Sequence, residues 1–520
     1  MALGANYKRR RLWLRAFAAA LFGVLISWFD PFGIDKRSEQ ASSDVFLHAI
    51  APFYSQRLDP FPTAVVLVTD PALKRLGWTW PFTFQQHNRL LEAITDLNPR
   101  AVFYDVAFYQ DRGDTRSFAE TIGRQTMRAG KGDPQCRPNP AGIRPSEGIP
   151  IFVAKIPGVP ILEDICRAGA EGVRVGWDAP YNDYPLNLEP LDPDVPPEDV
   201  TPEAIDNSLF LTAAPRLYLE GCMHAPYLAR PPCFDIPARA RAANLPLISL
   251  VWARGGDPIQ RRIADVGDCH DAVSRTFLGN LRLMLASLAE SFWTAGRPQT
   301  SGCSYPPVIP VDQLVHPGDN MALAKAISGR IVIFGTALPG LNDTAISPVH
   351  GRIYGVFVHA TAIDNLMRWG RYYVRDFDGR PVMSFLLAVM QVLLIAVAIR
   401  YAMQAIAWFR RNPPSLRELA HMPNGPSPVL RCEAVADIVQ LCFTAAAIAT
   451  ILLALTLFLF WWGISPLNWL GMTVLILTLT GDKIAAMLID AIAVLLMTFW
   501  PARLIVRFFL ARNAADEVLE

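Results

Sequence analysis

Residues 64–108 read AVVLVTDPALKRLGWTWPFTFQQHNRLLEAITDLNPRAVFYDVAF, and this stretch decides the fold. Thr63 to Thr69 is a continuous run rich in β-branched residues that ends at Asp70. Such a run, without polar alternation, is expected of a strand covered on both faces. After Gly77-Trp78-Thr79-Trp80-Pro81 comes QQHNRLLEAITDL, in which Leu90, Leu91, Ile94 and Leu97 recur at helical spacing. Asn98-Pro99 ends that helix, because a proline pushes the residue before it out of helical backbone. Ala101 to Phe108 then reads as a second buried strand. Strand, helix and strand over this length predict a parallel, right-handed βαβ unit. Far downstream, Arg330 to Thr336 (RIVIFGT) is a third strand of the same kind, followed by the loop ALPGLND and a helix over 358–367. The predicted fold class is an α/β extracytoplasmic domain, a mostly parallel sheet flanked by helices on both faces, attached to an α-helical transmembrane region of four spans.

The spans follow from hydropathy and charge. Mean hydropathy is +0.24, and only 18% of residues are charged, against about 25% in soluble proteins. A stretch of about 20 apolar residues crosses the hydrocarbon core. On that measure residues 12–29 form an anchor, with Arg15 snorkelling to the headgroups, and residues 381–400, 435–462 and 484–505 form three more spans. Residues 466–482 are apolar but too few to cross, and are assigned as an interfacial or re-entrant segment. Basic residues cluster at Lys8 to Arg11, in the 401–434 loop (Arg410, Arg411, Arg417, Arg431) and in the 506–520 tail (Arg507, Arg512). The positive-inside rule puts all three in the cytoplasm and residues 30–380 outside it. The predicted location is therefore the bacterial inner membrane, with the large domain in the periplasm. No kinase- or cyclase-sized module fits in the 401–434 loop or after Arg512, so no catalysis of its own is expected.

Cysteine placement agrees with an oxidising location. Cys136, Cys166, Cys222, Cys233, Cys269 and Cys303 all fall in the 30–380 segment, an even number that reads as disulfides. Six cysteines allow fifteen pairings, and proximity suggests Cys136 with Cys166, Cys222 with Cys233 and Cys269 with Cys303. The spacings lack C-x-x-C, so no metal is assigned. Net charge is +1, which gives no global basic field and excludes a nucleic-acid binder of that kind.

The stretch 64–108, together with GRIVIFGTALPGLNDTAISPVHGRIYGVFVHATAIDNLMRWGRYY (329–373), resembles the two ends of the type-2 CHASE domain, a cyclase- and histidine-kinase-associated sensory extracellular domain. The resemblance covers about Leu47 to Asp376, with insertions around Pro180 to Pro246. It implies an anchor helix, a periplasmic α/β sensor and three further helices. It also implies a sensory function, here without the output domain that often follows.

Several residues are candidates for a site. Asp70 and Asp105 sit at the carboxyl ends of what read as adjacent strands, and Asp343 lies in the loop after the third. Open α/β sheets bind ligands at that edge, so the three carboxylates could line one crevice; the competing reading is that each accepts N–H bonds in its own loop. Trp78 and Trp80 could wall a ligand or close the core. His359, in an apolar helix, is either a sensing group or a hydrogen-bonded structural histidine. The loop from Gly335 to Gly340 lacks the lysine of a phosphate loop. Lys483 and Asp490, two turns apart, read as an intramembrane pair that orients the bundle.

Two functions fit this reading. One is a membrane-anchored sensory or ligand-binding protein that acts through a separate membrane or cytoplasmic effector. The other is a non-catalytic accessory or scaffold subunit of an envelope complex. Neither calls for a cofactor; membrane lipid is an expected contact, and self-association is compatible with both. An external hydrolase built on Asp70, Asp105 and His359 has no catalytic motif behind it.

Overall fold

The computed structural model describes residues 34–55, 62–110, 112–127, 132–136, 148–156, 158–175, 182–186, 211–223, 245–254, 257, 259–263, 276, 278–284, 286, 306–341, 343–375, 456–457 and 460. The chain forms two compact units, Asp44–Asp376 with Trp462–Ser465, and Met1–Ser43 with Phe377–Trp461 and Pro466–Glu520. The α/β fold belongs to the first. Helix α1 (Ile34–Ser55) leads into β1 (Thr63–Thr69), α2 (Asp70–Leu76), α3 (Phe84–Thr95) and β2 (Ala101–Tyr104). Then come α4 (Arg116–Thr126), β3 (Ile151–Lys155), α5 (Glu163–Arg167), β4 (Glu171–Arg174), β5 (Asp183–Tyr184), α6 (Ala213–Met223), β6 (Ile248–Ser249) and α7 (Gln260–Ile263). The last part holds β7 (Val308–Pro310), α8 (Val311–Val315), α9 (Asn320–Ile327), β8 (Ile331–Ala337), the hairpin β9 (Thr344–Ser347) and β10 (Gly351–Tyr354), and α10 (Gly355–Trp369).

Six strands make one sheet in the order β4-β3-β2-β8-β1-β7, and every pairing in it is parallel. The period of two along each strand sorts the side chains into two cores. Val65, Leu67, Phe103, Ile331 and Ile333 face one side with α6 and α10. Val66, Val68, Val102, Val332 and Phe334 face the other with α2 to α5, α8 and α9. This double cover is why the strands read as unbroken apolar runs. The edge strand β7 is sealed by Gln260, whose amide donates to Val308 O (2.8 Å) and accepts from Val308 N–H (2.6 Å), which removes a free edge for association.

The sequence expectation for the α/β class stands, with corrections in detail. The connection between the first two strands contains two helices, α2 and α3, the second started by a capping box between Thr83 and Gln86. Strand β2 stops at Tyr104, short of the predicted Phe108, since Asp105 N–H makes the last bond to Phe334 O (2.8 Å) and the chain then leaves the sheet. The third predicted strand runs from Ile331 to Ala337, and the helix predicted over 358–367 extends from Gly355 to Trp369. More consequentially, β1 and β2 are not neighbours. β8, buried at all seven positions, lies between them and pairs with β1 along its whole length. A strand that apolar needs partners on both edges, and local reading of residues 63–108 cannot supply one from 220 positions downstream.

Gly335 lies within β8, not in a ligand loop. A Cβ there would sit 2.8 Å from Val356 Cβ and Cγ2, so the missing side chain is what lets α10 lie against the sheet. Gly335→Ala is expected to lower stability by about 1–3 kcal/mol through overpacking. Combining it with Val356→Ala should recover part of that loss, measured by denaturant unfolding of both variants. Simple additivity of the two costs would mean that the close approach is not responsible.

No helix among the described residues is long and apolar enough to cross a membrane. The predicted anchor at 12–29 and the stretches 381–400 and 484–505 lie outside the described residues, as do the 466–482 segment, Lys483, Asp490 and nearly all of 435–462. Of the cysteines, Cys136 and Cys166 are bonded to each other, as proximity suggested. Cys222 is disulfide-bonded too, while Cys233, Cys269 and Cys303 lie outside the described residues.

Candidate functional site

The carboxyl edge of the central strands carries a small polar cluster in an apolar surround. Asp105 is the first residue after β2, placed by its own N–H bond to β8. His359 comes from the second turn of α10, and its Nε2 lies 3.7 Å from Asp105 Oδ2. Both side chains are largely withdrawn from solvent, at 12% exposure for Asp105 and 7% for His359. On the far side of the imidazole, Tyr184 of β5 places its hydroxyl 2.9 Å from His359 Nδ1. The same hydroxyl accepts from Ala214 N–H at 3.0 Å. When the phenol donates its hydrogen to Nδ1, the imidazole is the Nε2–H tautomer and that N–H points towards Asp105. Phe103 closes over the ring, centroid to centroid 5.5 Å.

Burial governs the charges. It pushes the Asp105 carboxyl up to about 7 and the His359 imidazole down to about 4, because the interior disfavours the charged form of each. Tyr184 is raised by burial in the same way. Near neutral pH the cluster therefore holds a neutral histidine beside a carboxyl that is close to half protonated. Among the described residues no hydrogen bond reaches the Asp105 carboxylate. This is the opposite of a loop aspartate satisfied by backbone N–H groups, where the bonds would hold the carboxylate ionised.

Asp343, after β8, is exposed as a residue but has its carboxylate against the start of α10. A Cβ on Gly355 would come within 2.2 Å of Asp343 Oδ1, and Gly355 N–H donates to Asp343 O at 3.1 Å. Partial burial raises the Asp343 carboxyl, the Asp105 charge raises it further, and His359 works against both. Asp343 thus responds to both Asp105 and His359, and His359 to Asp343. The remaining sequence candidates lie elsewhere. Asp70 is an exposed first-turn residue of α2, where it complements the helix dipole. β8 separates its strand from that of Asp105. Trp78 and Trp80 stack edge-on against Phe82, with centroids 5.4 and 5.0 Å away, and pack on the core of the opposite face. Sequence reasoning missed Tyr184. It sits in a two-residue strand whose shortness leaves no periodic signal.

The molecule is an α/β domain whose six-stranded parallel sheet is covered on both faces and carries a buried histidine–carboxylate pair at its carboxyl edge. The CHASE2 domain profile matches residues 17–401, and the chain belongs to the CHASE2 family. That family is one of extracellular sensory domains, with which a sensory role and an extracytoplasmic position are consistent. No curated protein and no solved structure matches the chain significantly.

Proposed function

We propose that this protein is a membrane-anchored extracytoplasmic sensor that takes a cationic ligand at Asp105 and Asp343 and acts through a separate partner protein. The observation that carries the reading is the Asp105 carboxylate: 12% exposed, with His359 Nε2 at 3.7 Å, beyond hydrogen-bond length, and close enough to Asp343 to raise its carboxyl, at the sheet edge where α/β domains bind ligands. A buried carboxylate is costly without a partner, and a cation placed between Asp105 and Asp343 relieves both burial and mutual repulsion. An organic ammonium group suits the cluster better than a bare metal ion. Among the described residues no three His, Cys, Asp or Glu side chains are arranged to hold a metal.

The pH dependence follows. A cation favours ionised Asp105, so binding near pH 7 expels a proton from a carboxyl that titrates at about 7. Affinity for n-butylammonium should rise about tenfold between pH 6 and pH 8, following the ionised fraction of Asp105. Titration calorimetry of the full chain in buffers of different ionisation enthalpy would register the released proton. Butanol, of the same length but uncharged, should not bind. Equal affinity at both pH values, or no binding of any ammonium probe, would remove the ligand site and leave the scaffold subunit as the better description.

A further inference from the structure

Helix α10 spans the sheet from one edge to the other. Its N-terminal half meets the polar cluster at the carboxyl edge through His359 and the Gly355–Asp343 contact. Its C-terminal half reaches the amino edge, where Thr63, the first residue of β1, donates its hydroxyl to the buried Asp364 carboxylate at 3.3 Å. At that end α10 grips α1 with one stripe of residues, Asn365, Arg368 and Trp369, spaced i, i+3 and i+4 on one helix face. All three converge on Tyr54. Asn365 donates from Nδ2 to Tyr54 Oη at 2.9 Å. The Arg368 guanidinium lies 4.4 Å above the Tyr54 ring and donates to Tyr54 O at 3.1 Å. Trp369 stacks on that ring at 5.3 Å. Asn365 is itself locked, accepting from Val251 N–H (2.8 Å) and donating to Val251 O (2.9 Å). A fully bonded asparagine in the core cannot turn without losing several bonds together, which makes the junction rigid.

We infer that α10 is the element that relays the state of the Asp105–His359 cluster to α1, through the junction of Tyr54 with Asn365, Arg368 and Trp369. The inference rests on the ligand-site reading above and adds its direction of output. Six residues separate His359 from Asn365, about 9 Å of helix rise, and a packed helix moves as a unit over that length. α1 is the last element before the sheet, and residues 12–29, predicted as the first membrane span, precede it in the sequence. Any shift of α10 at its site end is thereby presented to the segment that leads towards the membrane. Coupling of this kind needs an element that both ends bias, and α10 is bonded at both.

Hydrogen exchange of the full chain tests this without an identified ligand. Asp105→Asn changes the charge state of the site and should slow exchange of the amides at 46–55 in α1 at least threefold. In the background Tyr54→Phe with Arg368→Gln, which keeps the ring and its stack but removes the bonds to α10, the same site change should leave those amides unaffected. Tyr54→Phe alone serves as the milder background should the double change unfold the chain. An unchanged α1 in the Asp105→Asn protein would overturn the relay, as would an equal response with the junction cut. The ligand reading is judged separately, by whether n-butylammonium binds, so the two can fail independently.

Discussion

Asp105→Asn is expected to raise the stability of the ligand-free full chain at pH 8 and to remove the largest carboxyl contribution opposing the pH dependence of the buried histidines. In the folded protein this carboxyl is raised from 3.8 to about 7. A raised carboxyl contributes stability that is fully present below pH 3.8 and is lost as pH climbs through 7. The whole shift corresponds to a penalty on the order of 4 kcal/mol at alkaline pH. The asparagine amide keeps a desolvation cost of its own, so the net gain expected is about 2 kcal/mol. His359 works with the opposite sign. Its folded value is depressed from 6.5 to about 4, so its contribution is present above pH 6.5 and lost as pH falls through 4. In the parent chain the two slopes oppose each other between pH 4 and 6.5; Asp105→Asn removes the aspartate's, leaving that of His359 with the same-signed slopes of the buried His87 and His350, depressed to about 3 and about 4, and the opposing one of Asp343. Unfolding midpoints at pH 5, 6.5 and 8 read this directly. A loss of about 1–3 kcal/mol at pH 8 would mean that the carboxylate accepts charge-assisted bonds in the folded state, and the cationic site would have no basis.

Removing the Cys136–Cys166 disulfide should cost more than any single contact discussed above. The bond closes a loop with a sequence separation of 30, for which loop-closure entropy predicts about 3–4 kcal/mol. Both cysteines are buried, and the segment they tether is built into the sheet edge, with Cys136 O accepting from Gly172 N–H of β4 at 2.8 Å. The double variant Cys136→Ser with Cys166→Ser should therefore unfold at markedly lower denaturant. Reductant should lower the midpoint of the parent by at least as much, and that of the variant only by what the Cys222 disulfide contributes. A parent chain indifferent to reductant would show that this bond does not hold the β3–β4 edge. Such dependence also suits a domain that folds in an oxidising compartment.

How much of this was legible beforehand depends on range. Local pattern carried the strand at 63–69, the helix with Leu90, Leu91 and Ile94, and the apolar run at 331–337, because burial on both faces leaves a composition that a short window can read. Asp105, read as one of three carboxylates at strand ends, is the candidate that lies at the centre of the cluster. Hydropathy and basic residues predict membrane spans that lie outside the described residues, and cysteine placement gave the Cys136–Cys166 pair. Only the tertiary structure decided what depends on contacts far apart in the chain. The insertion of β8 between β1 and β2 moved Asp70 away from Asp105. The packing of Trp78 and Trp80 on the opposite face removed them from the cluster. Tyr184, carried by a strand of two residues, met His359 across 175 positions, a pairing that no local periodicity encodes. The grip of Tyr54 by Asn365 and Arg368 spans more than 300 positions. Secondary structure follows from near neighbours and the balance of polar and apolar side chains. A site assembled from four separate loops, strands and helices exists only once the sheet has set their order.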